Sequence, residues 1–251
     1  IADQTLHKLD AKERIKSIMR LDGDILHIGT KSWDLSKKKN VYLIGAGKAC
    51  NHMAMAVDEI LGDRLARGIA IVKISEPTDV FHKTEVYVGG HPLPNEEGYR
   101  ACKIILDLVD HAGPDDLFIC VISGGSSALM SCPIDGISLE DEIKVTDVMT
   151  KSGANIYEIN AIRRHISQMN GGMLAKRIEA RGAELIGFGI SDAVGNPATG
   201  DIGIPYAKYK STPMGPDATT LDDARRVIRD YDVADRLPKN VVDYLMNAGP
   251  E

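Results

Sequence analysis

The feature that most constrains this chain is a run of six apolar residues that ends in a turn rich in glycine and serine. Residues 117–122 include three β-branched side chains, which predicts a strand buried on both faces of a parallel sheet. Ser123-Gly124-Gly125-Ser126-Ser127 follows, and then good helix formers. Glycines allow a sharp turn and serines can cap a helix. The turn is therefore either an ordinary strand-to-helix connection or an anion-binding loop at a helix start.

A second unit of the same kind lies earlier in the chain. Residues 41–44 are apolar, residues 45–49 read Gly-Ala-Gly-Lys-Ala, and residues 50–61 have helical spacing. Further strands are predicted at 69–74, 85–88 and 184–190. Further helices are predicted at about 95–112, 139–153, 156–180, 220–231 and 239–246. A break is expected at Gly171-Gly172 within the third of these, and Thr219-Thr220 with Asp222-Asp223 resembles a capped start for the fourth. This alternation predicts an α/β fold, a Rossmann-like parallel sheet flanked by helices on both faces.

The N-terminal segment has a different pattern. Apolar residues between positions 4 and 28 recur at close to helical spacing. We expect one or two amphipathic helices there, interrupted near Asp22-Gly23.

Composition narrows the class of partner. With 251 residues, 43% of them hydrophobic, the chain can bury a sizeable core. A net charge of −6 and 5% aromatic residues argue against nucleic acid as a partner. No apolar run approaches the roughly 20 residues that span a membrane, so we expect no membrane partner. The four cysteines lack CxxC spacing, which predicts neither a zinc site nor disulfides and suits a cytoplasmic location.

The loops that could carry chemistry all follow predicted strands. They comprise residues 45–48, 123–127 and 191–196, and His91 follows the strand at 85–88. Ligands of open α/β sheets bind at the carboxyl ends of the strands, so these segments are expected to converge.

Lys48 and His91 are the first candidates in these loops. A cation at the mouth of a strand suits a phosphoryl group or a carboxylate, although Lys48 could be an ordinary exposed lysine in the first turn of a helix. His91 could transfer a proton or make a purely structural hydrogen bond.

Four further candidates follow later in the sequence. Asn160, Arg163 and Arg164 share a predicted helix, and an arginine fork suits a carboxylate or phosphate. Adjacent helical residues point about 100° apart, so only one of the two arginines is expected to face the site. Asp192 could hold Mg²⁺, act as a base, or simply stabilise a turn.

Known nucleotide motifs are incomplete or missing. Gly45-Ala46-Gly47 begins like a dinucleotide fingerprint, but Cys50 replaces its final Gly or Ala. The Walker pattern Gly-x-x-x-x-Gly-Lys-Ser/Thr does not occur.

Taken in order, these and other motifs resemble the glycerate 2-kinase family, whose members carry the so-called MOFRL domain and are often labelled hydroxypyruvate reductases. The matching segments cover most of the chain from about residue 41 onward. They are Gly45-Ala46-Gly47-Lys48-Ala49, Gly90-His91-Pro92-Leu93-Pro94, Ser123-Gly124-Gly125-Ser126-Ser127-Ala128-Leu129, Ser152-Gly153-Ala154, Ile159-Asn160-Ala161-Ile162-Arg163-Arg164-His165-Ile166-Ser167, Gly171-Gly172-Met173-Leu174-Ala175, Ser191-Asp192-Ala193-Val194-Gly195-Asn196 and Gly215-Pro216-Asp217-Ala218-Thr219-Thr220. Any one of them is weak, whereas the ordered set is specific.

The resemblance implies ATP-dependent phosphorylation of D-glycerate at its 2-hydroxyl by a two-domain enzyme, with the active site between the domains. The chain departs from the family at residues 210–217, which replace a Ser-Gly-Pro pattern before the late Pro-Asp. The C-terminal domain, with an arginine implicated in catalysis, is expected after about residue 250. We therefore expect residues 1–251 to form one large α/β domain, the first of two.

The resulting site prediction assigns three catalytic residues. Lys48, which matches the family's catalytic lysine, would stabilise charge on the transferred group, Asp192 would hold Mg²⁺ or orient the hydroxyl, and Arg163 would anchor the carboxylate. Substrate and phosphate contacts are predicted from Gly45, Gly47, His91, Ser123, Gly124, Gly125, Ser126, Ser127 and Asn160. The expected cofactors and partners are ATP, Mg²⁺ and glycerate, and the sequence is compatible with a homo-oligomer.

Two other functions stay open. An NAD(P)H-dependent hydroxypyruvate reductase would need an acidic residue about 20 positions beyond the glycine loop, where the chain has Ile71-Val72-Lys73. A non-catalytic domain that binds a small anion would need only the loops.

Overall fold

The computed structural model describes residues 10–190 and 212–249. Its strands are β1 (Met19–Asp22), β2 (Ile25–Ile28), β3 (Lys31–Asp34), β4 (Asn40–Gly47), β5 (Leu65–Val72), β6 (Thr84–Val88), β7 (Asp116–Ser123) and β8 (Glu184–Ile190). Its α-helices are α1 (Ala11–Ile18), α2 (Cys50–Leu61), α3 (Glu96–Asp110), α4 (Ser126–Leu129), α5 (Leu139–Lys151), α6 (Ile156–His165), α7 (Met173–Ala180), α8 (Leu221–Asp230) and α9 (Lys239–Asn247).

Five of the described strands form one parallel sheet in the order β6-β5-β4-β7-β8. Every residue of β7 is buried, as its apolar run predicts. Successive strands are added outward from β4 to one edge through β5 and β6, and to the other edge through β7 and β8. The order therefore reverses between β4 and β7, and such a reversal is where open α/β sheets bind ligands.

Helices cover both faces of this sheet, which confirms the predicted fold class. Alternate residues of a strand point to opposite faces. Leu43 packs in a cluster with side chains of α1 and α2, whereas its neighbour Ile44 packs with side chains of α3 and α7. Ile119 and Phe118 of β7 divide between the same two clusters.

A third hydrophobic cluster involves helices and their connections without a strand. Its side chains come from α5, α6, α8, α9 and the segments beside them. Helix α8 is capped by Thr220, whose side chain accepts from the backbone N–H of Asp223 in a capping box, as the sequence predicts.

The prediction for the N-terminal segment was wrong over residues 19–28. These residues form β1 and β2, which pair with β3 in a separate antiparallel sheet. Gly23 has a φ of +60° and, with Asp24, makes a two-residue hairpin connection. Strands of four residues are too short for apolar spacing to distinguish them from a helix.

The helix predicted over residues 156–180, with its break at Gly171-Gly172, is two separate helices. Helix α6 ends at His165, earlier than the predicted break at Gly171-Gly172, and Gly172 is the N-cap of α7 with a φ of +80°. Across the two described ranges, no helix combines the length and apolar character needed to cross a membrane.

Candidate functional site

The end of β4 is shaped by two glycines that leave no room for a side chain. A Cβ atom on Gly45 would lie 2.6 Å from the Sγ atom of Cys50 and 3.1 Å from Cγ2 of Val121. A Cβ atom on Gly47, whose φ is +133°, would lie 2.7 Å from the carbonyl oxygen of Ser123. These glycines let β4 approach its own helix and the end of β7 closely. That Gly45 and Gly47 also contact a ligand stays a prediction.

The loops after β4 and β7 are joined by hydrogen bonds. The backbone N–H of Lys48 donates to the carbonyl oxygen of Gly124 at 2.9 Å. The backbone N–H of Ala49 donates to Oγ of Ser123 at 3.0 Å. Ser123 is buried, and its hydroxyl oxygen holds the start of α2 against β7. The two glycine-rich loops therefore form one surface at the carboxyl edge of the sheet.

His91 and Lys48 meet at Gly125. A Cβ atom on Gly125 would lie 2.8 Å from Cδ2 of His91, 3.0 Å from its Nε2 and 3.4 Å from Cε of Lys48. Lys48 is exposed and His91 is half-buried, so solvent reaches both side chains. Three of the four segments expected to converge do so here, because His91 lies in the segment that follows β6.

Helix α4 begins at Gly125 without a side-chain cap. Gly125 has a φ of +88°, the left-handed region that favours glycine, and is the N-cap residue. The serines of the turn could have capped this helix, but glycine occupies the cap position and the Ser123 hydroxyl instead accepts from Ala49. Ser126 is buried and Ser127 half-buried.

Arg163 contacts the glycine–serine turn, residues 123–127, from the protein interior. It is 7% exposed, and its Nη2 donates to the carbonyl oxygen of Ser127 at 2.9 Å. Its Nε lies 3.4 Å from Oε1 of Glu142. Asn160, one turn earlier on α6, is buried, and no donor of the described residues reaches its Oδ1. The structure thus places Arg163 on the buried side of the turn, and Asn160 is buried on the same helix.

Arg164 contacts a different part of the chain. Its Nη1 lies 2.7 Å from Oδ1 of Asp217, and that oxygen also accepts from the backbone N–H and hydroxyl of Thr219. The two adjacent arginines therefore have different partners, as their angular separation predicts. Arg163 is the one joined to the turn.

Three residues of this region, Ser131, Glu142 and Asn170, were not found from the sequence. Glu142 is buried and accepts from Oγ of Ser131 at 2.8 Å. Asn170 donates through Nδ2 to the carbonyl oxygens of Ser127 and Met130. The one available signal was the position of Glu142 on the apolar face of α5, which also carries the buried side chains at positions 139 and 145.

Asp192 and the rest of segment 191–196 lie outside the described residues, so their predicted roles stay predictions. Among the residues that are described, no three His, Cys, Asp or Glu side chains lie together in a way that could hold a metal ion.

The cysteines are packing residues. All four are free and buried. Burial raises the pKa of Cys120 to about 12 and raises that of Cys50 as well, so both thiols are neutral near pH 7. Cys120 is fully buried in β7 and packs there as a small hydrophobic residue.

Comparison with known proteins gives a consistent result. The family profile described as "Domain of unknown function (DUF4147)" matches residues 1–246. A relative named glycerate 2-kinase, from Pyrococcus horikoshii, is 34% identical over 241 residues, which are 96% of this chain and 51% of that protein. A D-glycerate 2-kinase of Thermotoga maritima is 35% identical over 77% of this chain and 44% of that protein. An Agrobacterium vitis relative carrying the name hydroxypyruvate reductase is 33% identical over 82% of this chain and 50% of its own length.

Solved structures have the same fold. A crystal structure of a Pyrococcus horikoshii OT3 protein superposes with a TM-score of 0.82 at 33% identity, over 96% of this chain and 52% of that one. The crystal structure of glycerate kinase from Thermotoga maritima gives a TM-score of 0.74 at 28% identity, over 99% and 54%. The chain spans about half the length of the curated relatives it matches.

Proposed function

The chain belongs to the glycerate 2-kinase family that carries the DUF4147 domain, and from that membership we propose that it takes part in ATP-dependent phosphorylation of D-glycerate at the 2-hydroxyl. It contributes the first of two domains, with the second supplied by the half that the relatives have beyond the matched region. We use the term extended protein for the protein that contains both domains. A cytoplasmic location is proposed on the four free thiols.

The observation that carries the proposal is the meeting of Lys48 and His91 at Gly125, where the strand order reverses. Phosphoryl transfer depends mainly on positioning and on stabilising the charge of the transferred group. Lys48 is an exposed cation whose backbone is fixed by its bond to Gly124, and this combination suits that task. In the proposal, Lys48 faces the transferred phosphoryl group and His91 binds a substrate oxygen beside it.

The remaining predicted residues complete the binding surface. Residues 123–127, with Gly45 and Gly47 shaping the neighbouring loop, contact phosphate or carboxylate oxygens, and Asn160 lies on the α6 side. In the proposal, the guanidinium group of Arg163 attracts the glycerate carboxylate. Two of its nitrogens also bind Ser127 and Glu142.

Mg²⁺ is implied by the kinase chemistry, where it neutralises phosphate charge. The described residues offer no carboxylate cluster for it. We propose Asp192 as its ligand.

The reductase alternative rests on the name of the Agrobacterium vitis relative. In dinucleotide-binding folds an acidic residue at the end of the second strand binds the ribose. Here the strand after α2 is β5, and exposed Lys73 follows its last residue. A lysine at that point argues against NAD but would suit the 2′-phosphate of NADP, so we prefer the kinase on the names of the Pyrococcus horikoshii and Thermotoga maritima relatives.

The decisive experiment is coupled ADP release with D-glycerate, ATP and Mg²⁺, run on this chain and on the extended protein. Turnover only in the extended protein is the expected result. NADH oxidation on hydroxypyruvate, with no ADP release in either protein, would establish the reductase instead. Glycerate binding without turnover in either protein would favour an anion-binding domain.

A further inference from the structure

A buried carboxylate lies behind the glycine–serine turn. Glu142 is 1% exposed and lies on the face of α5 that carries Leu139 and Val145. Its Oε1 accepts from Oγ of Ser131 at 2.8 Å and lies 3.4 Å from Nε of Arg163. A buried charge is costly unless it is paired, so Glu142 and Arg163 depend on each other.

Arg163 connects this carboxylate to the turn. Its Nη2 donates to the carbonyl oxygen of Ser127 at 2.9 Å, and Asn170 donates to the same oxygen at 3.2 Å. Ser127 is in α4, whose last carbonyls lack partners within so short a helix. A guanidinium group is a favourable partner for such carbonyls, because it is a cation at the negative end of the helix.

The same turn meets the site on its other side. Gly125 lies two residues before Ser127 and contacts Lys48 and His91. The backbone between them forms one helical turn, closed by the Leu129 and Ala128 N–H bonds to Gly125. A shift of Ser127 would therefore move Gly125, the residue against which Lys48 and His91 pack.

From these contacts we propose that Glu142 is a positioning residue for the glycine–serine turn, residues 123–127. It holds Arg163 in the orientation that fixes Ser127, and thereby fixes residues 123–127 relative to Lys48. It acts through Arg163 and touches no reacting atom. The catalytic part of this inference rests on the proposed kinase function, whereas the positioning part concerns the chain alone.

The test is the substitution Glu142→Gln in the extended protein, with Glu140→Gln as the matched control. Glu140 is an exposed residue of the same first turn of α5. The glutamine side chain would keep the shape of the glutamate but lose the charge that holds the guanidinium. We expect hydrogen exchange at the amides of Ala128, Leu129 and Met130 to accelerate about tenfold, and kcat to fall about 10²-fold with a smaller change in KM. The control should match the wild type in both measurements.

The outcomes separate positioning from general stability and from the function itself. Unchanged exchange at residues 128–130, or an equal acceleration in α2, overturns the positioning role. Absence of glycerate phosphorylation in the wild-type extended protein would contradict the proposed function, while the exchange comparison would still decide the role of Glu142.

A second variant keeps the test usable if Glu142→Gln unfolds the protein. Glu142→Gln combined with Arg163→Met removes both buried charges, and neutral replacements for a buried ion pair are often tolerated. We expect its Tm to return toward that of the wild type, with fast exchange at residues 128–130 and low kcat. Wild-type exchange together with wild-type turnover in this variant would show that the pair serves stability alone.

Discussion

The backbone N–H of Lys48 donates a 2.9 Å hydrogen bond to the carbonyl oxygen of Gly124, which joins the loops after the two central strands. The Ala49 N–H bond to Ser123 lies directly beside it. Because β4 and β7 are paired along their length, these loops start from a rigid base. The lysine backbone is therefore fixed by a neighbouring strand, while its side chain stays exposed.

We predict that Gly125→Ala abolishes most glycerate kinase activity of the extended protein. The new methyl group would lie 2.8 Å from Cδ2 of His91 and 3.4 Å from Cε of Lys48, in a backbone conformation with φ of +88°. The His91 ring would have to move, whereas Cε of Lys48 would stay at an ordinary contact distance, and a displacement near 1 Å can reduce turnover about 10²-fold. Steady-state kinetics of the purified variant measures the effect.

Gly136→Ala is the matched control for that substitution. Gly136 has the same φ of +88°, but a Cβ atom there would have nothing within 4 Å. It should share the backbone cost of about 1–2 kcal/mol for a left-handed alanine and keep its turnover. Equal losses of kcat in both variants would show that backbone strain, and not the contact with His91 and Lys48, is responsible.

Replacing Lys48 by Met should lower kcat of the extended protein by at least about 10²-fold, because a preorganised cation at the transferred group is lost. Folding should be preserved, since the backbone bond to Gly124 does not involve the side chain. Lys73→Met is the control, being an exposed lysine at the end of the adjacent strand β5. Near-normal turnover of the Lys48 variant, measured by coupled ADP release, would rule out a catalytic role.

The central sheet was predictable because its signal is local. The apolar run of β7 is continuous over residues 117–122, and a short run rich in β-branched residues is typical of a strand buried on both faces of a parallel sheet. The start of α8 was also predictable, because Thr220 and Asp223 form their capping box within four residues of the sequence.

Parts of the site were not predictable because they depend on which distant segments become neighbours. The hydroxyl of Ser123 looked available for a ligand or for its own helix, yet it accepts from Ala49, which lies 74 residues away in the chain. In the sequence, Glu142 looks like one of the acidic residues that commonly occupy the first turn of a helix. Its importance appears only when Arg163, 21 residues later, packs against it.

Asp58→Asn should destabilise the connection that leads into β6. Asp58 is 1% exposed, and its two carboxylate oxygens accept from the backbone N–H groups of His82 and Lys83 and from the hydroxyl of Thr84. The side-chain amide of asparagine would place its NH₂ group against one of the three groups that now donate to Asp58. We therefore expect a loss of about 2 kcal/mol in the free energy of unfolding. Urea denaturation monitored by circular dichroism measures it. Asp63→Asn, at a fully exposed side chain, should change stability by less than about 0.5 kcal/mol.

The final prediction concerns acid. The guanidinium groups of Arg177, which makes the larger contribution, and Arg181 lower the pKa of Asp110 from 3.8 to about 2. A carboxyl whose pKa is lowered on folding stabilises the protein above its unfolded pKa, and this contribution is lost as pH falls toward the folded value. The shift corresponds to about 2.4 kcal/mol before screening, and we expect about 1 kcal/mol at a side chain that is 30% exposed.

Asp110→Asn should therefore unfold at lower urea concentration than the wild type at pH 7, and the difference should narrow as the pH falls below about 4. Asp107→Asn is the control, since Asp107 lies one turn earlier on α3 with 76% of its side chain exposed. That variant should follow the wild type throughout. A stability difference for Asp110→Asn that stays constant from pH 7 to pH 3 would mean that the bonds to Arg177 and Arg181 stabilise the contact between α3 and α7 without the carboxylate charge.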